Sequence, residues 1–165
     1  MMKRLACCVA AILIAAIAPL PSPAAALAPA EVTVTAAAKG VFPSGTAYNG
    51  VPLSGLRFGV GVEIPGDTSA TGEFESTLLG TSALGQPQNI IVEGKASSGS
   101  ANGTGSATFS GTCTVDMADG TAPRTAVPFT VTITVDSYGK GTIALTLGTT
   151  KLSTATVNEG SMAIQ

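Results

Sequence analysis

Three stretches decide the fold: Gly105–Met117 (GSATFSGTCTVDM), Pro128–Val135 (PFTVTITV) and Gly141–Leu147 (GTIALTL). In the first, Phe109, Gly111, Cys113, Val115 and Met117 occupy one phase and Ser110, Thr112, Thr114 and Asp116 the other. In the second, Phe129, Val131, Ile133 and Val135 alternate with Thr130, Thr132 and Thr134. In the third, Ile143, Leu145 and Leu147 alternate with Thr142, Ala144 and Thr146. A period of two places apolar residues on one face of a strand and polar ones on the other. The stretch therefore reads as three strands, each with one face on a core and one toward water.

Working outward, Leu56–Ile64 shows the same alternation. Leu56, Phe58, Val60, Val62 and Ile64 face one way, with Arg57, Gly59, Gly61 and Glu63 opposite. Glycines on the outer phase weaken a strand and point to a bend, a bulge or a body packed closely over that face. Glu31–Ala38 predicts a first strand at a sheet edge. Thr71–Leu79, Asn89–Ala96 and Thr156–Ile164 predict further short strands, the last interrupted near Asn158–Gly160. Lys39–Pro52, Gly80–Gln88 and Ala118–Val127 are dense in Gly, Pro and Asn and read as loops, with Arg124 solvated in the last. Pro128 suits the start of a strand better than the inside of a central ladder. Ser97–Ser106 (SSGSANGTGS) reads as a hairpin loop rather than a linker, because neither half of the chain makes a core alone and Asn102–Gly103 is a favoured tight-turn pair. Asp136–Lys140 joins two strands as a short hairpin.

No stretch carries a helical period. Seven to nine short strands joined by turn formers indicate an all-β, antiparallel β-sandwich, Ig-like or jelly-roll-like, with a small β-barrel as the alternative. The Thr- and Ser-rich outer faces favour the sandwich.

The first thirty residues read as an export leader and not as part of the fold. Lys3 and Arg4 precede an apolar run, Leu5–Leu20, and a small-residue stretch ends at Ala30. The run is short for a membrane span, which needs about 20 residues. Cleavage after Ala30 leaves residues 31–165 as one all-β domain, secreted, periplasmic or on the cell surface. Its length is 165 minus 30, or 135 residues, enough to bury roughly two-thirds of the unfolded surface. Losing Lys3 and Arg4 leaves six basic against ten acidic residues, a net charge of −4. The basic residues are scattered, which argues against nucleic acid as a partner. No second apolar run is long enough to span a membrane after processing.

Cys7 and Cys8 fall in the leader, so Cys113 is the one cysteine of the mature chain and has no intramolecular disulfide partner. Its phase predicts a small buried hydrophobe. The chain has no histidine. Ser–His–Asp and Cys–His constellations are therefore impossible, and zinc sites built on His are excluded. Carboxylates remain. Glu73 and Glu75 share one strand face, and paired carboxylates can run glycoside hydrolysis, although a wet strand face is the commoner reason for two Glu at that spacing. Asp116, Asp119 and Asp136 are candidates for a calcium site, which wants six to eight oxygens; the ordinary role of such residues is capping turns, and it outweighs the metal here. No other cofactor is indicated. The composition points to a non-catalytic exported domain with a surface structural, adhesion or interaction role. A small-ligand- or glycan-binding module and a carboxylate-only hydrolase are the alternatives. A protein or glycan surface partner fits the first two.

Overall fold

The computed structural model describes residues 31–66 and 68–165. The leader with Cys7 and Cys8, and Asp67 of the Pro65–Asp67 turn, lie outside the described residues.

Among the described residues ten strands form: β1 Glu31–Val41, β2 Ala47–Tyr48, β3 Val51–Pro65, β4 Ser69–Thr81, β5 Pro87–Asn102, β6 Ser106–Asp116, β7 Arg124–Val135, β8 Gly141–Leu147, β9 Thr150–Lys151 and β10 Ala155–Ile164. All pairings are antiparallel, and from β3 to β8 each strand pairs with its successor in sequence. The antiparallel all-β expectation holds. β8 then pairs with β10, and β10 with β1. β1 also pairs with β3 along its whole length, from Glu31 opposite Pro65 to Val41 opposite Gly55. The hydrogen-bonded neighbours thus run in a closed circuit of eight long strands. β1 is bonded on both sides, and its expected edge position is corrected by its second partner. Closing a sheet removes the free edges that invite aggregation. With eight strands the enclosed space is just wide enough for side chains to fill.

The alternating residues fill it. Leu56, Phe58, Val60, Val62 and Ile64 of β3 are buried, as are Phe109, Cys113 and Val115 of β6, Phe129, Val131 and Ile133 of β7, and Ile143, Leu145 and Leu147 of β8. At the centre Phe74 stacks on Phe129 with centroids 5.7 Å apart, and Phe109 meets both rings edge-on at 6.2 and 6.3 Å. Such contacts add to the large area each ring buries. Phe129 finds room because Gly94 faces it from β5; a Cβ at Gly94 would lie 2.7 Å from the ring. Ser76 is the inward residue between Phe74 and Leu78, and its hydroxyl has no hydrogen-bond partner among the described residues.

Local irregularities shape the ring. The β5–β6 register shifts between Ala96 and Ser98, and Gly111 sits opposite this bulge. There a Cβ would fall 1.9 Å from the Lys95 carbonyl oxygen, so only glycine fits. The Ser97–Ser106 stretch is mostly strand: pairs run out to Asn102 opposite Ser106, and the turn shrinks to three residues. Pro128 lies inside β7, opposite Thr112. Its carbonyl accepts from Gly148 N at 2.8 Å, so its backbone polar groups face the β8–β9 turn and the missing N–H interrupts no bond to β6. β10 bulges at Asn158, since Lys39 and Gly40 face Glu159 and Val157.

One end of the ring is plugged by the segment between β1 and β3. Phe42 and Tyr48 are buried there beside Val51 and Leu53 at the start of β3, with Thr46 donating to the Pro43 carbonyl.

Candidate functional site

The outer surface divides into two chemically different faces. On β6, β7 and β8 the outward residues are hydroxylic: Ser106, Thr108, Ser110, Thr112 and Thr114, then Thr130, Thr132 and Thr134, then Thr142 and Thr146 with Ala144 among them. The register sets them side by side in rows, Ser110–Thr130–Thr146 and Thr108–Thr132–Ala144. Thr108 and Thr132 share a hydrogen bond of 3.0 Å. β-Branched Thr suits a pleated strand and its hydroxyl meets water.

The outward residues of β1, β3, β4 and β5 carry the charge. Register again builds rows across the strands. One row runs Glu159, Lys39, Arg57, Thr77, Ile91, and the next runs Ser161, Ala37, Gly59, Glu75, Glu93. A third runs Ala163, Thr35, Gly61, Glu73, Lys95. Lys39 bonds Glu159 at 2.9 Å. The hydrogen bond and charge of Lys39 hold the Glu159 carboxyl below the usual range. Glu75 stands opposite Glu93, a like-charge cross-strand pair of the kind that costs stability. Between Arg57 with the Lys39–Glu159 ion pair on one side and these carboxylates on the other lies a depression of about 570 Å³, also lined by Ile91 and Gly59. A second depression of about 500 Å³ shares Glu75 and Glu93 and extends past Lys95 toward Thr112 and Ala126.

Glu73 and Glu75 are therefore on one exposed face, as their spacing requires. Their neighbours Glu93 and Lys95 come from β5, and only the register reveals them. The three aspartates do not converge. Asp116 closes β6, and its carboxylate accepts from Ala118 N at 2.8 Å. Asp119 accepts from Thr121 N at 2.9 Å and from the Thr121 hydroxyl at 2.6 Å, bonds that lower its pKa. Asp136 follows β7 at the opposite end of the ring and accepts from Tyr138 N and Lys140 N, both at 2.9 Å. Each carboxylate thus organises its own turn. Among the described residues no group of three or more Asp, Glu or Cys is placed to hold a metal ion, and no helix is long and apolar enough to cross a membrane.

Cys113 faces the core, at 4% exposure, and is a free thiol. Burial pushes it up to about 11 from an ordinary 9, against a weaker opposite pull from Arg124. Arg124 is exposed, as expected of a solvated residue, but it lies in a strand and not in the expected loop and has a partner that the sequence around it does not announce. It begins β7, and its guanidinium donates to the Tyr48 hydroxyl at 2.5 Å and lies 5.7 Å from the ring centroid. Burial raises the Tyr48 phenol, and Arg124 partly offsets that rise. The contact ties the plug segment to β7. A lone tyrosine among turn formers was the available signal for it.

Comparison with family models, with curated proteins and with solved structures finds no match to this chain.

Proposed function

We propose that the mature chain is a non-catalytic exported domain that works by contact through its charged outer face, in a structural, adhesion or interaction role. One observation carries this reading. The interior is occupied by apolar side chains, whereas Arg57, Glu73, Glu75, Glu93 and Lys95 stand together on open strand surface. Groups so exposed lack the water-excluded setting in which fixed charges stabilise a transition state strongly, but they suit recognition of another surface.

The carboxylate-hydrolase reading is favoured by one feature, the placement of Glu73 and Glu75 beside Glu93. Glu73→Gln with Glu75→Gln separates the two. On the contact reading the double variant folds and a panel of envelope glycans stays intact with either protein. Glycan cleavage by the wild type that disappears in the folded double variant overturns it.

Export is part of the proposal and rests on Lys3–Arg4, the Leu5–Leu20 run and the small residues ending at Ala30. Mass measurement of protein recovered outside the cytoplasm should give an N-terminus at or near Glu31. Recovery of the intact chain from cytoplasm alone ends that part.

A further inference from the structure

We propose that the outer face of β1, β3, β4 and β5 is a dimer interface, occupied by the same face of a second copy related by a two-fold axis. The inference rests on the contact reading above and names its partner.

Glycine supplies the first argument. Gly59 and Gly61 are outward positions in the middle of β3, where glycine costs strand stability. Elsewhere in the ring a glycine is explained by what a Cβ would strike, as at Gly111 or Gly94. At Gly59 and Gly61 a Cβ would meet nothing within 4 Å. Nothing in the described chain demands glycine there. A bare backbone in the floor of a depression suits a body that approaches from outside.

Apolar exposure supplies the second. Among the described residues four large hydrophobic side chains are exposed, and two of them stand on outward strand positions of this face. Val41 (46%) ends β1 and Ile91 (43%) lies one row away on β5. Apolar groups ringed by charge are the usual make-up of a contact surface.

Charge commits the occupant. Arg57 on β3 carries the cationic charge of one side, since Lys39 on β1 is paired with Glu159 of its own chain, and the anions Glu75 and Glu93 stand on β4 and β5, across the Gly59 floor. Arg57, Glu75 and Glu93 have no hydrogen-bond partner among the described residues. A two-fold axis through this floor carries the cationic side of one copy onto the anionic side of the other, twice. Isologous interfaces need this self-complementarity. The arrangement also relieves the Glu75–Glu93 repulsion, which the monomer leaves standing. From strand geometry the patch spans roughly 25 Å by 20 Å, toward the small end of specific interfaces. The dimer is accordingly weak and concentration-dependent, and salt loosens it.

Sedimentation equilibrium of residues 31–165 from micromolar to millimolar concentration tests the proposal. The wild type should show a monomer–dimer equilibrium that shifts toward monomer with added salt. Gly59→Thr should fold at least as stably as wild type and remain monomeric, because its side chain fills the floor. Arg57→Glu appears twice in a symmetric interface and should raise the dissociation constant by about tenfold or more. So should Glu75→Arg with Glu93→Arg. Mixing these two oppositely charged variants should restore association as a heterodimer. A wild type that stays monomeric throughout, a dimer indifferent to Gly59→Thr, or a mixture that fails to associate overturns the proposal. The broader contact reading is scored separately. A monomeric chain that still binds isolated envelope, and loses that binding with Arg57→Glu, sinks the dimer alone.

Discussion

Behind the charged face and behind the hydroxyl face lies one core, yet the two surfaces follow different rules. Phe74 reaches inward from the charged side and Phe129 from the hydroxyl side, and their rings stack. The interior therefore gives no reason for the outward positions to differ. On β6, β7 and β8 the outward phase is what strand preference and hydration select: Thr in repeated rows, with charge kept to the strand ends at Asp116 and Arg124. On β3 the outward phase departs from that preference, with Arg57, Gly59 and Gly61 in succession. Local departures from what the fold itself rewards are where function is to be sought. The hydroxyl face serves as an internal control for what an idle outer surface of this ring looks like.

The largest expected effect tests the shared core. Phe129→Ala and Phe74→Ala should each cost about 3–5 kcal/mol, the usual range for emptying a buried aromatic site. Chemical denaturation measures it. The double variant should cost clearly less than the two singles together, because residues in contact share their loss. Full additivity would mean that each face has its own core, and the comparison would lose its basis.

Next comes a contrast between glycines. Gly111→Ala places a Cβ 1.9 Å from the Lys95 carbonyl oxygen, and the strands must part to admit it. A loss of about 1–3 kcal/mol is expected, as for overpacking elsewhere. Gly59→Ala meets open space and should hold or slightly raise stability. Thermal melts of the two at a concentration where the chain is monomeric compare them directly. Equal losses would show that Gly59 answers to the monomer's own fold, and its use as a sign of an outside partner would fail.

What could be read from the residues follows the same division. Inward phases were legible because period two is a local property: Leu56–Ile64, Phe109–Val115 and Phe129–Ile133 each display it within a few residues. Closure of the ring was not. Glu31–Ala38 carries a short alternation that suits an edge, and of the two partners of β1 one, β10, comes from the far end of the chain. The same holds for the candidate site. Glu73 and Glu75 share a face by spacing alone, whereas Glu93 and Arg57 join them only through register. Arg124 escaped because nothing near it in sequence announces Tyr48, 76 residues away.

Cys113 samples the hydroxyl-face side of the core. Cys113→Ala should cost roughly 1 kcal/mol, in line with removing a small buried group. The wild-type thiol should resist labelling until the protein unfolds, since burial raises its pKa to about 11 and the thiolate is the reactive form. The sign for stability follows. Burial favours the neutral thiol, so its contribution is full below the unfolded value near 9 and falls away as pH rises toward about 11. Cys113→Ala should lack this alkaline component. Fast labelling of folded protein at neutral pH would place Cys113 outward and shift the whole β6 register by one residue, exchanging the hydroxyl row for the core.

The smallest effect is expected on the hydroxyl face itself. Thr108 and Thr132 face each other across β6 and β7 and share a hydrogen bond of 3.0 Å, partly buried by their neighbours. Thr132→Val keeps the branched shape that suits the strand and removes one hydroxyl. Water can replace the lost bond at Thr108, because the row is open to solvent, and the added methyl gains a little apolar contact with the adjoining side chains. The net change should stay within about 0.5 kcal/mol, as for surface substitutions that break no special feature. Association in the sedimentation experiment should not change at all, since these strands lie away from the proposed interface. Thr132→Val therefore carries more weight as a control than its size suggests. If it weakens the dimer while Arg57→Glu does not, the two faces have exchanged roles, and the repeated hydroxyl rows become the surface through which the chain makes its contacts.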